Sequence, residues 1–244
     1  MTAAHALLDL VLPRRCAGCD APGDGWCADC RDEVARRRRG PARPTRPSPA
    51  PDGFPPTWAM TTYEDPVRRA IVEHKDSGRA DLVPLLAAWW RDAAAGALSG
   101  DPHACAALGQ APVFVVPAPS SGSARRQRGR DPWAEVTRAA VAGVSTLSFH
   151  RCLTQVRRVA DQSGLDAAAR WDNLHAAMAV RDPGPLRGAV CLVSDDVLTS
   201  GATLTEASRA LYAAGARHVC AAVLAATQRR PRTTRGLQAP GRLP

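Results

Sequence analysis

The stretch from Cys191 to Leu211, CLVSDDVLTSGATLTEASRAL, restricts the possible folds more than any other part of the chain. The apolar run Val190 to Ser194 reads as a buried strand, and from about Ala202 the spacing is that of a helix. Between them stand two adjacent carboxylates, Asp195 and Asp196, and a loop of small residues: Thr199, Ser200, Gly201, Ala202 and Thr203. In an open parallel sheet, ligands bind beyond the carboxyl ends of the strands, and this spacing puts the pair there. The turn into the helix presents unpaired N–H groups at the positive end of a helix dipole. The Thr199, Ser200 and Thr203 hydroxyls add donors, and together they form a cradle for phosphate. Carboxylates repel phosphate, so the pair must face sugar hydroxyls or Mg²⁺. A phosphate with a diol nearby describes a ribose 5-phosphate. A solvated strand-end loop, or a Mg²⁺ pair of the phosphoryl-transfer kind, are the other readings of these residues.

The rest of the chain supplies elements that suit such a sheet. A short extended stretch runs from Trp58 through Tyr63, a helix is expected from Pro66 to about His74, and an amphipathic helix continues through Leu98. PVFVVPAPSS is a strand ending in a Pro/Ser loop, and PWAEVTRAAVAGV is helical. Asp166 is placed to cap a helix running to about Met178, and Gly215 ends the last helix before the strand RHVCAAVLAA. Apolar strands alternating with helices predict an α/β fold, a doubly wound parallel sheet covered on both faces.

Four of the eight cysteines, Cys16, Cys19, Cys27 and Cys30, form two CxxC knuckles seven residues apart. Each knuckle presents two thiolates, and two knuckles complete the tetrahedral S₄ set that Zn²⁺ prefers in structural sites. A redox pair or an iron–sulfur cluster fits this spacing less well. About 35 residues are too few for a core, so metal binding would drive the folding of this segment. The expected organisation is a four-Cys zinc module over 1–35, a basic Pro-rich linker over 36–56, the α/β domain over 57–228 and a basic tail over 229–244.

VSDDVLTSGAT resembles the signature of the type I phosphoribosyltransferases, which use 5-phosphoribosyl pyrophosphate (PRPP). The four-Cys module, HKDSGRADLVPLL, VVPAPSS, the downstream RRQRGR and DQSGLDAAARWDNL occur in the order seen in the ComF-type competence family, and the likeness runs from Leu8 to about Ala226. The chain departs from the family pattern after Gly129, where Arg130, Asp131, Pro132 and Trp133 stand, and at Ala169, where a Glu is common. The resemblance implies a type I phosphoribosyltransferase-like fold that binds Mg²⁺-PRPP. It implies that Asp195 and Asp196 hold the ribose hydroxyls, that Thr199 to Thr203 hold the 5-phosphate, and that Ser120 and Ser121 serve the pyrophosphate. Arg125 and Arg128 suit bidentate phosphate contact, and Lys75, the only lysine in the chain, stands in the family's Lys-containing segment. Arg157 and Arg158 would lie on a loop able to close over PRPP, and Gln162, Arg170 and Asn173 also match the pattern.

The formal charge of +9 favours anionic partners. No apolar run is long enough to cross a bilayer, so a cytoplasmic protein without membrane insertion is expected, and the resemblance implies transfer of ribose 5-phosphate to an unknown acceptor and a link to DNA uptake. The alternative is a non-catalytic nucleic-acid-binding or assembly factor. In that reading the zinc module, Arg36 to Arg39 and the tail contact single-stranded DNA or a helicase-like competence ATPase.

Overall fold

The computed structural model describes residues 14–38, 40–120, 129–156 and 177–227. In chain order these form α1 (Ala28–Arg38), β1 (Arg43–Pro44), β2 (Thr57–Thr62), α2 (Val67–Asp76), α3 (Val83–Gly100), α4 (Pro102–Ala107) and β3 (Val113–Pro117). They continue with α5 (Pro132–Val141), β4 (Leu147–Phe149), β5 (Leu153–Gln155), β6 (Met178–Val180), β7 (Val190–Leu198), α6 (Ala202–Ala213) and β8 (His218–Ala226). Six strands make one sheet in the order β1-β2-β8-β7-β3-β4, in which every pairing is parallel except β1 with β2. Strands β5 and β6 form a separate antiparallel pair.

Apolar residues on both faces of each central strand require cover on both sides, and the helices divide accordingly. Leu192 of β7, and Cys220, Ala222 and Leu224 of β8, share one core cluster with Leu86, Trp90, Ala93 and Ala97 of α3 and with Val136 and Ala140 of α5. Cys191 and Val193, with Val219, Ala221 and Val223, share the other with Leu204, Ala207 and Leu211 of α6. The inward positions of α3 recur at helical spacing, and Trp90 anchors the helix by donating from Nε1 to the Ala222 carbonyl at 3.0 Å. A Cβ added to Gly100, the last residue of α3, would stand 2.8 Å from Nε1 of Trp58, so this helix end can lie against β2 only with glycine there.

Several local readings are corrected. Met178 begins a strand rather than ending a helix. The reason is tertiary: its N–H donates to Glu206 Oε1 at 2.9 Å and its carbonyl accepts from Arg209 Nη2 at 2.9 Å, both groups belonging to α6. Strand β7 runs to Leu198, past the expected end at Ser194, because β8 pairs with it as far as Leu198 opposite Ala226. Helix α1 continues through Arg38, beyond residue 35. The Pro-rich segment after it follows the sheet edge: Arg43 and Pro44 pair with β2, Thr45 N donates to the Thr57 carbonyl at 2.8 Å, and the Pro56 carbonyl accepts from Ala221 N at 2.8 Å. Among the described residues, no helix is long and apolar enough to cross a membrane.

Candidate functional site at the C-terminal end of β7

Successive residues of a strand point to opposite faces, and this separates the acidic pair. Ser194 faces α5, where its Oγ accepts from Trp133 Nε1 at 3.1 Å and meets Thr137 Oγ1 at 2.9 Å. Asp196, two residues on, faces the same way, is buried and is ion-paired with Lys75 of α2. Asp195 lies in register with Val223 on the other face and is half-buried. Burial raises its carboxyl to about 6 against the opposing pull of the Lys75 cation. Beyond Pro117, opposite Ser194, strand β3 has ended, and carboxylates take up backbone amides of β7. Asp195 Oδ1 accepts from Asp196 N at 3.0 Å, and Asp196 Oδ1 accepts from Val197 N at 2.7 Å. The pair is thus part of the strand and not of the loop that follows it.

Thr199, Ser200 and Gly201 lead directly into the twelve-residue helix α6. Gly201 is the N-cap residue, in the left-handed region at φ +81, and the first intrahelical bond is Thr205 N to the Gly201 carbonyl at 2.9 Å. The amides of Ala202, Thr203 and Leu204 therefore belong to the first turn, which has no carbonyl of its own helix to receive them. Ser200 Oγ lies 3.5 Å from Ala202 N. A Cβ on Gly201 would stand 2.9 Å from the Phe54 ring and from Pro47. The glycine is required by its backbone conformation and by the close approach of the Pro-rich segment.

Lys75 is thereby brought to the acidic pair. Ser120, at the end of the loop after β3, donates from Oγ to Asp131 Oδ1 at 3.0 Å, and Arg151 Nη2 donates to Asp131 Oδ2 at 2.8 Å. Ser121, Arg125 and Arg128 lie outside the described residues, as do Arg157, Arg158, Gln162, Arg170 and Asn173. The sequence reading missed Asp131 and Arg151. Asp131-Pro132 at the start of a helix signals only a cap. Asp131 stands at the N-cap of α5 but makes no side-chain cap there, and its carboxylate binds Ser120 and Arg151 instead.

A cleft of about 980 Å³ extends from Thr199 past Thr61, Thr62 and Thr227 to α1. Its lining carries Arg36, Arg37, Arg38, Arg43 and Arg46 against Glu33 and Glu64, which gives it a net positive wall.

At the other end of α1 the four cysteine sulfurs lie within 4.8 Å of one another. Cys16 and Cys30 Sγ are 3.7 Å apart, and Cys19 and Cys27 Sγ are 3.6 Å apart. These spacings match the edges of a tetrahedron with metal–sulfur bonds of about 2.3 Å. Gly18 N and Cys27 N both point at Cys16 Sγ from 3.4 Å. Burial pushes this thiol up, but the amide donors outweigh it and bring it down to about 6, so a thiolate is favoured there. Burial pushes the Cys30 thiol up. The cluster could hold a metal such as zinc.

Comparison with known protein families gives no match, and comparison with curated proteins gives none either.

Proposed function

We propose that the chain is a type I phosphoribosyltransferase-like protein with an N-terminal structural Zn²⁺ module. In this reading it binds Mg²⁺-PRPP beyond the C-terminal end of β7 and transfers ribose 5-phosphate to an acceptor. The observation that carries the reading is the juxtaposition of Asp195, whose carboxyl is raised to about 6, with the Thr199 to Gly201 turn and the first turn of α6. The 5-phosphate would take the amides of Ala202 and Thr203 and the hydroxyls of Thr199, Ser200 and Thr203. Asp195 and Asp196 would accept from the ribose hydroxyls, with Asp196 ion-paired to Lys75 before the ligand arrives. In the transfer, the bond from C1 to pyrophosphate breaks and a bond from C1 to the acceptor forms through a cationic sugar. Mg²⁺ bound with the ligand would neutralise the leaving charge and Ser120 would donate to it; Ser121, Arg125 and Arg128, outside the described residues, are the further donors that the resemblance implies.

Competition between ligands tests this reading. Ribose 5-phosphate, which lacks the pyrophosphate, should displace labelled PRPP from the full chain, whereas ribose should not. Equal displacement by inorganic phosphate alone would remove the ribose from the account.

A second reading has support of its own in the arginine-lined cleft, which suits a nucleic-acid backbone. It makes the chain a non-catalytic binding or assembly factor of DNA uptake, with single-stranded DNA and a helicase-like ATPase as partners. Binding that weakens steeply with salt and is indifferent to Asp195→Asn would favour it.

A further inference from the structure

At the opposite end of the sheet from the acidic pair, three potential metal ligands of different chemistry converge. His218 opens β8 and Cys220 follows two residues later, so both side chains leave the strand on the face covered by α3 and α4. Asp101 joins those two helices. Its Oδ1 caps α4 by accepting from His103 N at 3.0 Å and Ala104 N at 2.9 Å, which leaves Oδ2 to meet His218 Nε2 at 2.9 Å. One carboxylate oxygen of Asp101, one ring nitrogen of His218 and Cys220 Sγ lie within 4.8 Å of one another. The exposed His103 imidazole packs at a tilt against His218 with ring centroids 4.6 Å apart.

A helix cap accounts for Asp101 Oδ1, and a shared proton accounts for Oδ2 and His218. Neither accounts for a thiol at the same point or for a second imidazole beside it. We propose that Asp101, His103, His218 and Cys220 form a second Zn²⁺ site. Oxygen, nitrogen and sulfur donors are the ligands Zn²⁺ takes, with bonds of about 2.0 to 2.3 Å that place neighbouring ligands about 3.3 to 3.8 Å apart. The Asp101, His218 and Cys220 ligand atoms already lie within 4.8 Å of one another, and His103 would be the fourth ligand after rotation of its exposed side chain. Charge also favours the cation. Asp101 is 3% exposed and Cys220 is fully buried. A carboxylate and a thiolate with two neutral imidazoles cancel the charge of one Zn²⁺, so the loaded group buries no net charge. On binding, the Cys220 thiol gives up its proton to solvent, and the His218 nitrogen that meets the metal carries no proton while the other ring nitrogen keeps the one that makes the imidazole neutral. Such a site would clamp the α3–α4 corner to the start of β8.

Zinc content of the full-length protein, measured after equilibration with Zn²⁺ and removal of excess, tests the assignment. His218→Gln should lose one equivalent per chain relative to wild type, whatever the N-terminal cysteines hold. With Co²⁺ as probe, Cys220→Ala should lose part of the sulfur-to-cobalt absorption, and Cys16→Ser/Cys30→Ser should retain that part. His103→Ala changes only an exposed side chain and serves where the buried variants fail to fold. It should weaken the second equivalent by at least about tenfold, the loss that even an orienting partner causes. Equal zinc content in wild type and His218→Gln, or in His103→Ala an unchanged affinity, would overturn the proposal.

Discussion

Asp195 is held in a state that favours its neutral form, with a carboxyl near 6 where an exposed aspartate titrates near 4. The folded chain therefore binds this proton more readily than the unfolded chain does. Its contribution to stability is present below about pH 4, is lost as pH rises through about 6, and is a net cost above that. Asp195→Asn keeps an oxygen for the Asp196 amide and removes the charge. It should stabilise the protein by about 2 to 3 kcal/mol at pH 8 and leave stability unchanged at pH 4, as read from urea denaturation. No gain at pH 8 would mean that the site tolerates the charge and stores nothing for a ligand. Lys75→Met should act in the opposite direction. It strands the buried Asp196 carboxylate and should cost about 1 to 3 kcal/mol, discounted because the lysine is partly exposed, with most of the loss restored by adding Asp196→Asn. Gly201→Ala combines a left-handed backbone with contact against Phe54 and Pro47, so about 2 to 4 kcal/mol should be lost. Phe54→Ala in the same chain should recover part of it, and strictly additive losses would show that the two residues do not press on each other.

At the scale of elements, the cysteine module packs on the sheet through α3. Trp26 packs edge-on against Trp89 of α3 with centroids 5.2 Å apart, and Cys16, Ala17, Cys30 and Val34 belong to the same core cluster as Leu86 and Trp90. Arg79 reinforces the junction by donating to the carbonyls of Arg15 at 3.1 Å and Gly25 at 3.4 Å. Sequence reasoning confined the effect of losing metal to the N-terminal segment. This shared packing instead predicts that Cys16→Ser, or stripping with a strong chelator, lowers the unfolding midpoint of the whole chain. Thermal unfolding followed by near-ultraviolet circular dichroism should show one shifted transition; an unshifted main transition beside a small early one would show the module to be independent. The elements legible in the sequence are those with apolar or periodic runs: β2, α2, α3, β3, α5, β7, α6 and β8. β1, β4 and β5 span two or three residues each, too few to show any periodicity. The sequence ends a helix at Met178, the first residue of β6, because what holds that residue extended comes from Glu206 and Arg209, about thirty residues away in the chain.

At the scale of the molecule, the loop, the acidic pair and the basic cleft gather toward the C-terminal ends of β2, β8 and β7. The loop and pair could be read from residue type and spacing. The cleft could not, because it arises where α1 and the Pro-rich segment fold back along the sheet edge, bringing Arg36 and Arg46 near Thr199. Nor could the Asp131–Arg151 pair be foreseen, since it joins the start of α5 to the segment after β4. The central claim is that this end of the sheet binds a phosphoribosyl group through the acidic pair and the loop. Calorimetric titration of the full chain with PRPP, with and without Mg²⁺, beside Asp195→Asn/Asp196→Asn, tests it most directly. The account predicts saturable, Mg²⁺-dependent binding in the wild type and none in the folded double variant. Equal affinity in the two proteins, or no binding to either at millimolar PRPP, would contradict it.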